Sequence, residues 1–179
     1  MATIRPRPRT ARVTPTALRG FMNGYYTGVT IVTSVDVSGR PHGLTCNSLV
    51  SVTLDPPTLL VCLDRKAGTL NAVRECGAFA VNLLSERGKA AAQTFASPDP
   101  DRFASVRWEP SPQGLPRLVD DAFAIAECTV ADEHSVGDHV VVFGRVRDIE
   151  GEPDSPLLYG MRTFSRPSDA VEPGYLSTP

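Results

Sequence analysis

Two apolar segments rich in β-branched residues flank a proline pair in the stretch between residues 43 and 69. They cover residues 49–54 and 58–63, and Asp55-Pro56-Pro57 separates them. Proline lacks an N–H donor and disfavours helix in the preceding residue, so this connection must be a loop between two strands. Short polar segments lie at the outer ends of both strands, at residues 45–48 and 64–69. Apolar strands with polar, cationic and glycine-containing ends predict a binding site for a flat ligand that carries a phosphate.

Length and charge limit the classes of function. The chain has 179 residues, which suits a single domain. Its 18 Lys and Arg against 20 Asp and Glu give a net charge of −2, so we expect no nucleic-acid partner. No segment approaches the roughly 20 apolar residues of a membrane span. The 4 cysteines and 3 histidines form no metal-binding pattern. These features predict a cytoplasmic protein with reduced thiols, no bound metal and no membrane contact.

The remaining pattern predicts a mainly β, largely antiparallel fold of the α+β kind. Strands are expected at residues 27–35, 42–54, 58–63, 78–84, 122–131 and 138–148. Short helices are expected at 14–24, 69–76 and 85–96, and a long surface loop at 97–116. Hairpins join most consecutive strands, which favours a small barrel of about six or seven strands with two or three helices outside it.

The ends of the chain differ from its middle in composition. Residues 1–13 alternate arginine with proline and predict a disordered basic arm, and residues 167–179 predict a surface tail. The folded domain is expected at 14–166.

Several common catalytic motifs are absent. The sequence has no G-x-G-x-x-G after its first strand and no G-x-x-x-x-G-K-[ST], so neither a Rossmann nor a Walker nucleotide site is expected. It also lacks G-x-S-x-G and H-E-x-x-H, and nothing local selects a nucleophile for a Ser-His-Asp hydrolase.

An ordered set of short motifs resembles the flavin reductase family. The motifs are GVTIVT at 28–33, GLTCNS at 43–48, SVTLDPP at 51–57, CLDR at 62–65, FAVNLL at 79–84 and GDH at 137–139. The resemblance spans about residues 14–166. It implies a split β-barrel, usually homodimeric, that uses NADH or NADPH to reduce FMN or FAD. The reduced flavin would then serve a separate flavin-dependent monooxygenase.

The resemblance also implies roles for individual residues. The flavin ring would contact Gly28, Val29 and Thr30, and hydrogen bonds would come from Thr45, Cys46, Asn47 and Ser48. Cys62, Leu63, Asp64 and Arg65 would line the ribityl and phosphate side. Phe95 would close the pocket, and His139 would meet the nicotinamide as the catalytic residue.

The predicted phosphate segment departs from the family pattern. Family members often carry serines between the arginine and the threonine, whereas this chain has Lys66-Ala67-Gly68 before Thr69. Lys66 can replace the missing hydroxyl groups as a point charge, with the Gly68 N–H and the Thr69 hydroxyl still available.

Two other functions fit the same residues. One is a flavin-binding protein without reductase activity, and the other is an FMN-dependent oxidase of a small organic substrate. His42 and His134 are interpreted as ordinary surface histidines.

Overall fold

A seven-stranded antiparallel sheet carries most of the core in the computed structural model, which describes residues 13–167. The mainly β, antiparallel fold class predicted from the sequence is confirmed. The predicted arm, apart from Val13, and the tail from residue 168 onward lie outside the described residues.

The helices and strands have the following bounds. The α-helices are α1 Pro15–Asn23, α2 Gly68–Cys76 and α3 Lys89–Ala96, and short 3-10 turns cover Glu86–Gly88 and Arg102–Ser105. The strands are β1 Thr27–Gly28, β2 Thr30–Val35, β3 Pro41–Cys46, β4 Val50–Leu54, β5 Pro57–Asp64, β6 Ala78–Leu84, β7 Glu109–Pro110, β8 Pro116–Arg117, β9 Ala122–Val136, β10 His139–Gly151, β11 Leu158–Gly160 and β12 Thr163–Ser165.

The large sheet has the strand order β3-β2-β6-β9-β10-β5-β4. A long hairpin of β9 and β10 forms its middle, with a turn at residues 137–138. The two ends of the sheet approach each other where Ser48, just after β3, hydrogen-bonds to the backbone of Cys62 in β5. Strand β1 pairs with β11, and β11 pairs with β12, in a separate small sheet.

Local sequence accounts for the helix ends. The Thr14 hydroxyl accepts the Ala17 N–H at 3.1 Å, and Pro15 occupies the first turn of α1, as predicted. Helix α2 ends at Gly77, which adopts a left-handed φ of 71° and donates its N–H to the Val73 carbonyl.

The core has two main parts. One lies against the inner face of the large sheet and includes Leu63, Phe79 and Val142. The other packs α3 against the sheet and includes Ile31 and Phe95.

A buried asparagine ties a nearby loop to the second part of the core. The Asn82 amide donates to the Ile31 carbonyl and accepts the Leu118 N–H at 2.9 Å. This polar side chain is therefore satisfied although it is fully buried.

Several predicted element boundaries were wrong. The strand expected over 27–35 is divided into β1 and β2, which belong to different sheets. The strand expected over 42–54 is broken at residues 47–49, where the chain turns and Ser48 bonds across to β5. The α-helix expected over 85–96 begins only at Lys89, because the chain before it forms the 3-10 turn Glu86–Gly88. The loop expected over 97–116 contains part of the short β7–β8 pair.

Across residues 13–167, no helix combines the length and the apolar composition needed to cross a membrane.

We expect Gly144→Ala to destabilise the fold. A methyl group at Gly144 of β10 would meet the Phe79 ring of β6 and lie 2.9 Å from the Cys128 Cβ of β9. Overpacking of this kind lowers the free energy of unfolding by about 1–3 kcal/mol. Gly20→Ala is the matched control, because nothing lies within 4 Å of that position in exposed α1. Chemical denaturation of both variants measures the effect, and an unchanged Gly144→Ala protein would contradict this packing.

Candidate functional site

A cavity of about 860 Å³ opens where the ends of β3 and β5 meet the start of α2. Residues from both polar segments predicted from the sequence line it. The predicted site residues in the lining are Thr45, Cys46, Asn47, Ser48, Cys62, Asp64, Lys66, Gly68, Thr69, Phe95 and His139.

The turn after β3 is held against β5 by a short chain of hydrogen bonds. The Thr30 hydroxyl donates to the Cys46 carbonyl at 2.8 Å, and the Cys46 Sγ lies 3.0 Å from the Ser48 Oγ. That oxygen also accepts the Cys62 N–H at 2.9 Å. These hydroxyl groups are occupied by the protein itself. Asn47 is exposed and lines the cavity, so its amide is available to a ligand.

The start of α2 forms the cationic end of the cavity. The Asp64 carboxylate accepts the Lys66 N–H at 2.7 Å and so shapes the turn before the helix. Ala67 occupies the N-cap position and provides no side-chain hydrogen bond to the first turn of α2. Uncapped N–H groups at a helix start attract anions, and the Lys66 ammonium adds a full positive charge.

His139 lies at the cavity end of β10, where it pairs with Asp64 of β5. Its Nδ1 is 2.8 Å from the Asp138 carboxylate, and this hydrogen bond lowers the pKa of Asp138. About half of the His139 side chain is exposed. The ring is thus oriented by its neighbour and accessible to a ligand.

Aromatic rings form the wall opposite the polar turn. Phe95 of α3 packs edge-on against Phe103 at 4.9 Å between ring centroids, and Phe103 packs against Trp108 at 5.6 Å. A Cβ at position 43 would lie 2.6 Å from the Phe95 ring, so the wall needs glycine there. Arg102 donates to the carbonyls of Gly43 and Ser97, which fastens the loop after α3 onto β3.

Sequence and structure comparisons identify the family. The family model described as "Flavin reductase like domain" matches residues 22–168. The chain belongs to the flavin reductase-like family.

Two relatives and one crystal structure are especially similar to this chain. A flavin reductase (NADPH) of Lentzea aerocolonigenes is 53% identical, with 87% of this chain and 91% of the relative covered. A flavin reductase (NADH) of Kitasatospora aureofaciens is 45% identical, with 81% and 78% covered. The crystal structure of nitrilotriacetate monooxygenase component B from Mycobacterium thermoresistibile has a TM-score of 0.81 at 35% identity, with 89% of this chain and 92% of that chain covered.

Several residues assigned to the flavin by the family resemblance lie outside the cavity lining. They are Gly28, Val29, Thr30, Leu63 and Arg65. Side chains alternate along a strand, so Cys62 and Asp64 line the cavity while Leu63 points into the core. The Leu63 side chain therefore occupies a core position, and its contact with the flavin stays a prediction.

The other four residues, Gly28, Val29, Thr30 and Arg65, contact parts of the protein outside the cavity lining or at its edge. Val29 is buried in the core beside α3, and the Thr30 hydroxyl bonds to the Cys46 carbonyl. Gly28 is exposed and pairs with Leu158, and the Arg65 guanidinium lies 3.4 Å from the Gly137 carbonyl.

The cavity also contains residues that sequence reasoning did not select. They are Arg40, Pro41, His42, Gly43, Leu44, Ala67, Ala96, Pro98, Asp99, Pro100, Arg102 and Phe103. Most come from the loop after α3 and from β3. The unusual length of that loop was the only local signal of a functional role.

Within residues 13–167, no cluster of three or more His, Cys, Asp or Glu side chains could hold a metal ion.

Proposed function

We propose that this protein is an NAD(P)H:flavin oxidoreductase that reduces FMN or FAD and supplies the reduced flavin to a separate monooxygenase. One observation carries the proposal: a single cavity combines a polar turn, a cationic uncapped helix start and an aromatic wall. A flavin has the matching parts, because its flat ring carries polar edges and its ribityl chain ends in a phosphate.

Different residues of the cavity would bind different parts of the flavin. Lys66, Gly68 and Thr69 would hold the phosphate at the start of α2. Asn47 and the backbone amides of residues 46–48 would meet the polar edge of the ring, where they favour negative charge. A volume of about 860 Å³ is near the upper end of small-molecule sites, which leaves room for a nicotinamide beside the flavin.

The chemistry requires little acid–base work from the protein. When bound, the flavin supplies the ring that accepts a hydride, and NADH or NADPH is oxidised to NAD⁺ or NADP⁺. The chain must bring the two rings to about 3–3.5 Å and limit access of water.

The partner monooxygenase is inferred from the relatives. The structure with a TM-score of 0.81 is component B of a nitrilotriacetate monooxygenase. A cavity that opens to the surface allows a flavin to leave after reduction.

The cytoplasmic location stays a prediction, and the four free cysteines fit a reducing compartment.

Anaerobic mixing of the purified protein with FMN or FAD and either nicotinamide tests the proposed function. We expect loss of the visible flavin absorbance at a rate proportional to enzyme concentration. If neither NADH nor NADPH reduces either flavin, the reductase function is wrong. Flavin that stays bound but oxidised would then support the non-reductase alternative, and reduction by a small organic substrate would support the oxidase.

We propose His139 as the residue that positions the nicotinamide. His139→Ala should raise the KM for NADH or NADPH about tenfold, which corresponds to the loss of one hydrogen bond to the nicotinamide. The KM for flavin should change less than about twofold. His134→Ala is the control, because His134 also faces an aspartate, Asp132, but lies outside the cavity lining. A larger change in the KM for flavin than in the KM for the nicotinamide would contradict this role of His139.

We also propose that the protein is a homodimer. Helix α1 has no buried residue, yet it exposes Phe21 by 79% and Leu18 by 56%. Edge strand β4 is exposed along its whole length and presents Val50, Val52 and Leu54. Apolar surface of this extent favours association, and a second copy of the chain is the occupant that the family resemblance implies.

Light scattering during gel filtration tests the homodimer. The wild type should have twice the monomer mass, and Phe21→Glu should raise the dimer dissociation constant by at least about tenfold. Val37→Glu, at an 87% exposed position in the β2–β3 turn, is the control and should leave the dimer intact. A wild type that is monomeric at micromolar concentration would contradict the proposal.

A further inference from the structure

His42 lies between the large cavity and a smaller groove of about 310 Å³, and its side chain lines both. We propose that His42, held in place by Asp36, contacts the phosphate of the flavin and makes the site prefer phosphorylated flavins over riboflavin. The inference rests on the proposed function, because it concerns the phosphate end of the same cavity.

Asp36 is a rigid partner for the imidazole. Its Oδ1 accepts hydrogen bonds from the Ser38 N–H, the Ser38 hydroxyl and the Arg40 N–H, at 2.9, 2.6 and 3.0 Å. Its Oδ2 lies 3.0 Å from the His42 Nε2. The hydrogen bonds from the Ser38 side chain, and then from His42, hold the pKa of the Asp36 carboxyl well below its usual range. An ionised carboxylate can only accept, so Nε2 of His42 carries a proton and donates it.

The other ring nitrogen faces the start of α2. A Cβ placed on Gly68 would lie 3.3 Å from the His42 Nδ1, so any larger residue would crowd the space between the imidazole and the helix start. The first turn of α2 has no side-chain cap, and Lys66 lines the same end of the cavity. The imidazole therefore borders the position where the uncapped N–H groups and the ammonium would hold an anion.

The Nδ1 side of the imidazole would contact a phosphate bound there, whereas riboflavin has no phosphate for His42 to contact.

Other charged groups surround His42. Those lining the cavity and the groove are Arg40, Asp64, Lys66, Glu75, Asp99 and Arg102, with His139 as a further titratable group. Four are already engaged. Glu75, Asp64 and Asp99 each accept a backbone N–H, and Arg102 donates to two backbone carbonyls. These groups are the same in the titrations with FMN and with riboflavin, so the difference between the two Kd values reports on the phosphate.

The decisive measurement is the ratio of the Kd for riboflavin to the Kd for FMN, obtained by fluorescence titration. In His42→Gln, FMN binding should weaken about tenfold, or about 1.4 kcal/mol, while riboflavin binding changes less than about twofold. His134→Gln is the matched control, because it removes an exposed histidine that also faces an aspartate. Asp36→Asn should reduce the ratio by a smaller factor, since it loosens the imidazole without removing it.

Two outcomes of the titration would overturn the inference. Equal weakening of FMN and riboflavin by His42→Gln would mean that His42 only shapes the cavity. No weakening of either would mean that it is not in contact with the flavin.

A measurement on the wild type keeps the inference testable if His42→Gln does not fold. The wild type should bind FMN about tenfold more tightly than riboflavin or better. Equal Kd values for the two flavins in the wild type would overturn the inference. A wild type that binds no flavin, or binds it without oxidising NAD(P)H, contradicts the proposed function instead.

Discussion

The hydroxyl of Ser48 joins the two ends of the seven-stranded sheet. It donates to the Cys62 carbonyl, accepts the Cys62 N–H and lies 3.0 Å from the Cys46 Sγ. Strand β3 is at one edge of the sheet, whereas β5 lies next to the opposite edge. These bonds bring the polar turn after β3 to the start of α2, so the cavity exists only because the sheet curls this far.

The opposite wall depends on a second long-range connection. Arg102 reaches from the loop after α3 to the Gly43 carbonyl, and Phe95 packs where a side chain at position 43 would otherwise lie. The Thr45 hydroxyl also donates to the Ala92 carbonyl of α3 at 2.6 Å. Strand β3 is thus fixed from both sides, by the polar turn that follows it and by the aromatic wall. Such a frame can hold a flat ring with little rearrangement, which suits hydride transfer between stacked rings.

Much of this arrangement could be predicted from the sequence because it depends on local signals. The proline pair between two apolar segments predicted the strands β4 and β5, and Gly77 predicted the end of α2. The two polar segments predicted from their positions at strand ends do line one cavity.

The remainder could not be predicted because it depends on contacts between distant parts of the chain. Nothing near Arg102 in the sequence indicates that it bonds to Gly43, and nothing near His42 indicates that it lies against Gly68. The break in the strand at residues 47–49 follows from the bond between Ser48 and Cys62, which also joins distant residues. Leu63 lies on the other face of β5 from Cys62 and Asp64, and this alternation along the strand was visible in the sequence.

Hydrogen–deuterium exchange with and without saturating FMN tests most directly whether this cavity holds the flavin. Peptides that cover residues 43–48 and 62–70 should exchange more slowly when FMN is bound. The β7–β8 pair at residues 109–117 lies outside the cavity lining and should be unaffected. Protection confined to other parts of the chain, with none at 43–48 or 62–70, would contradict the account.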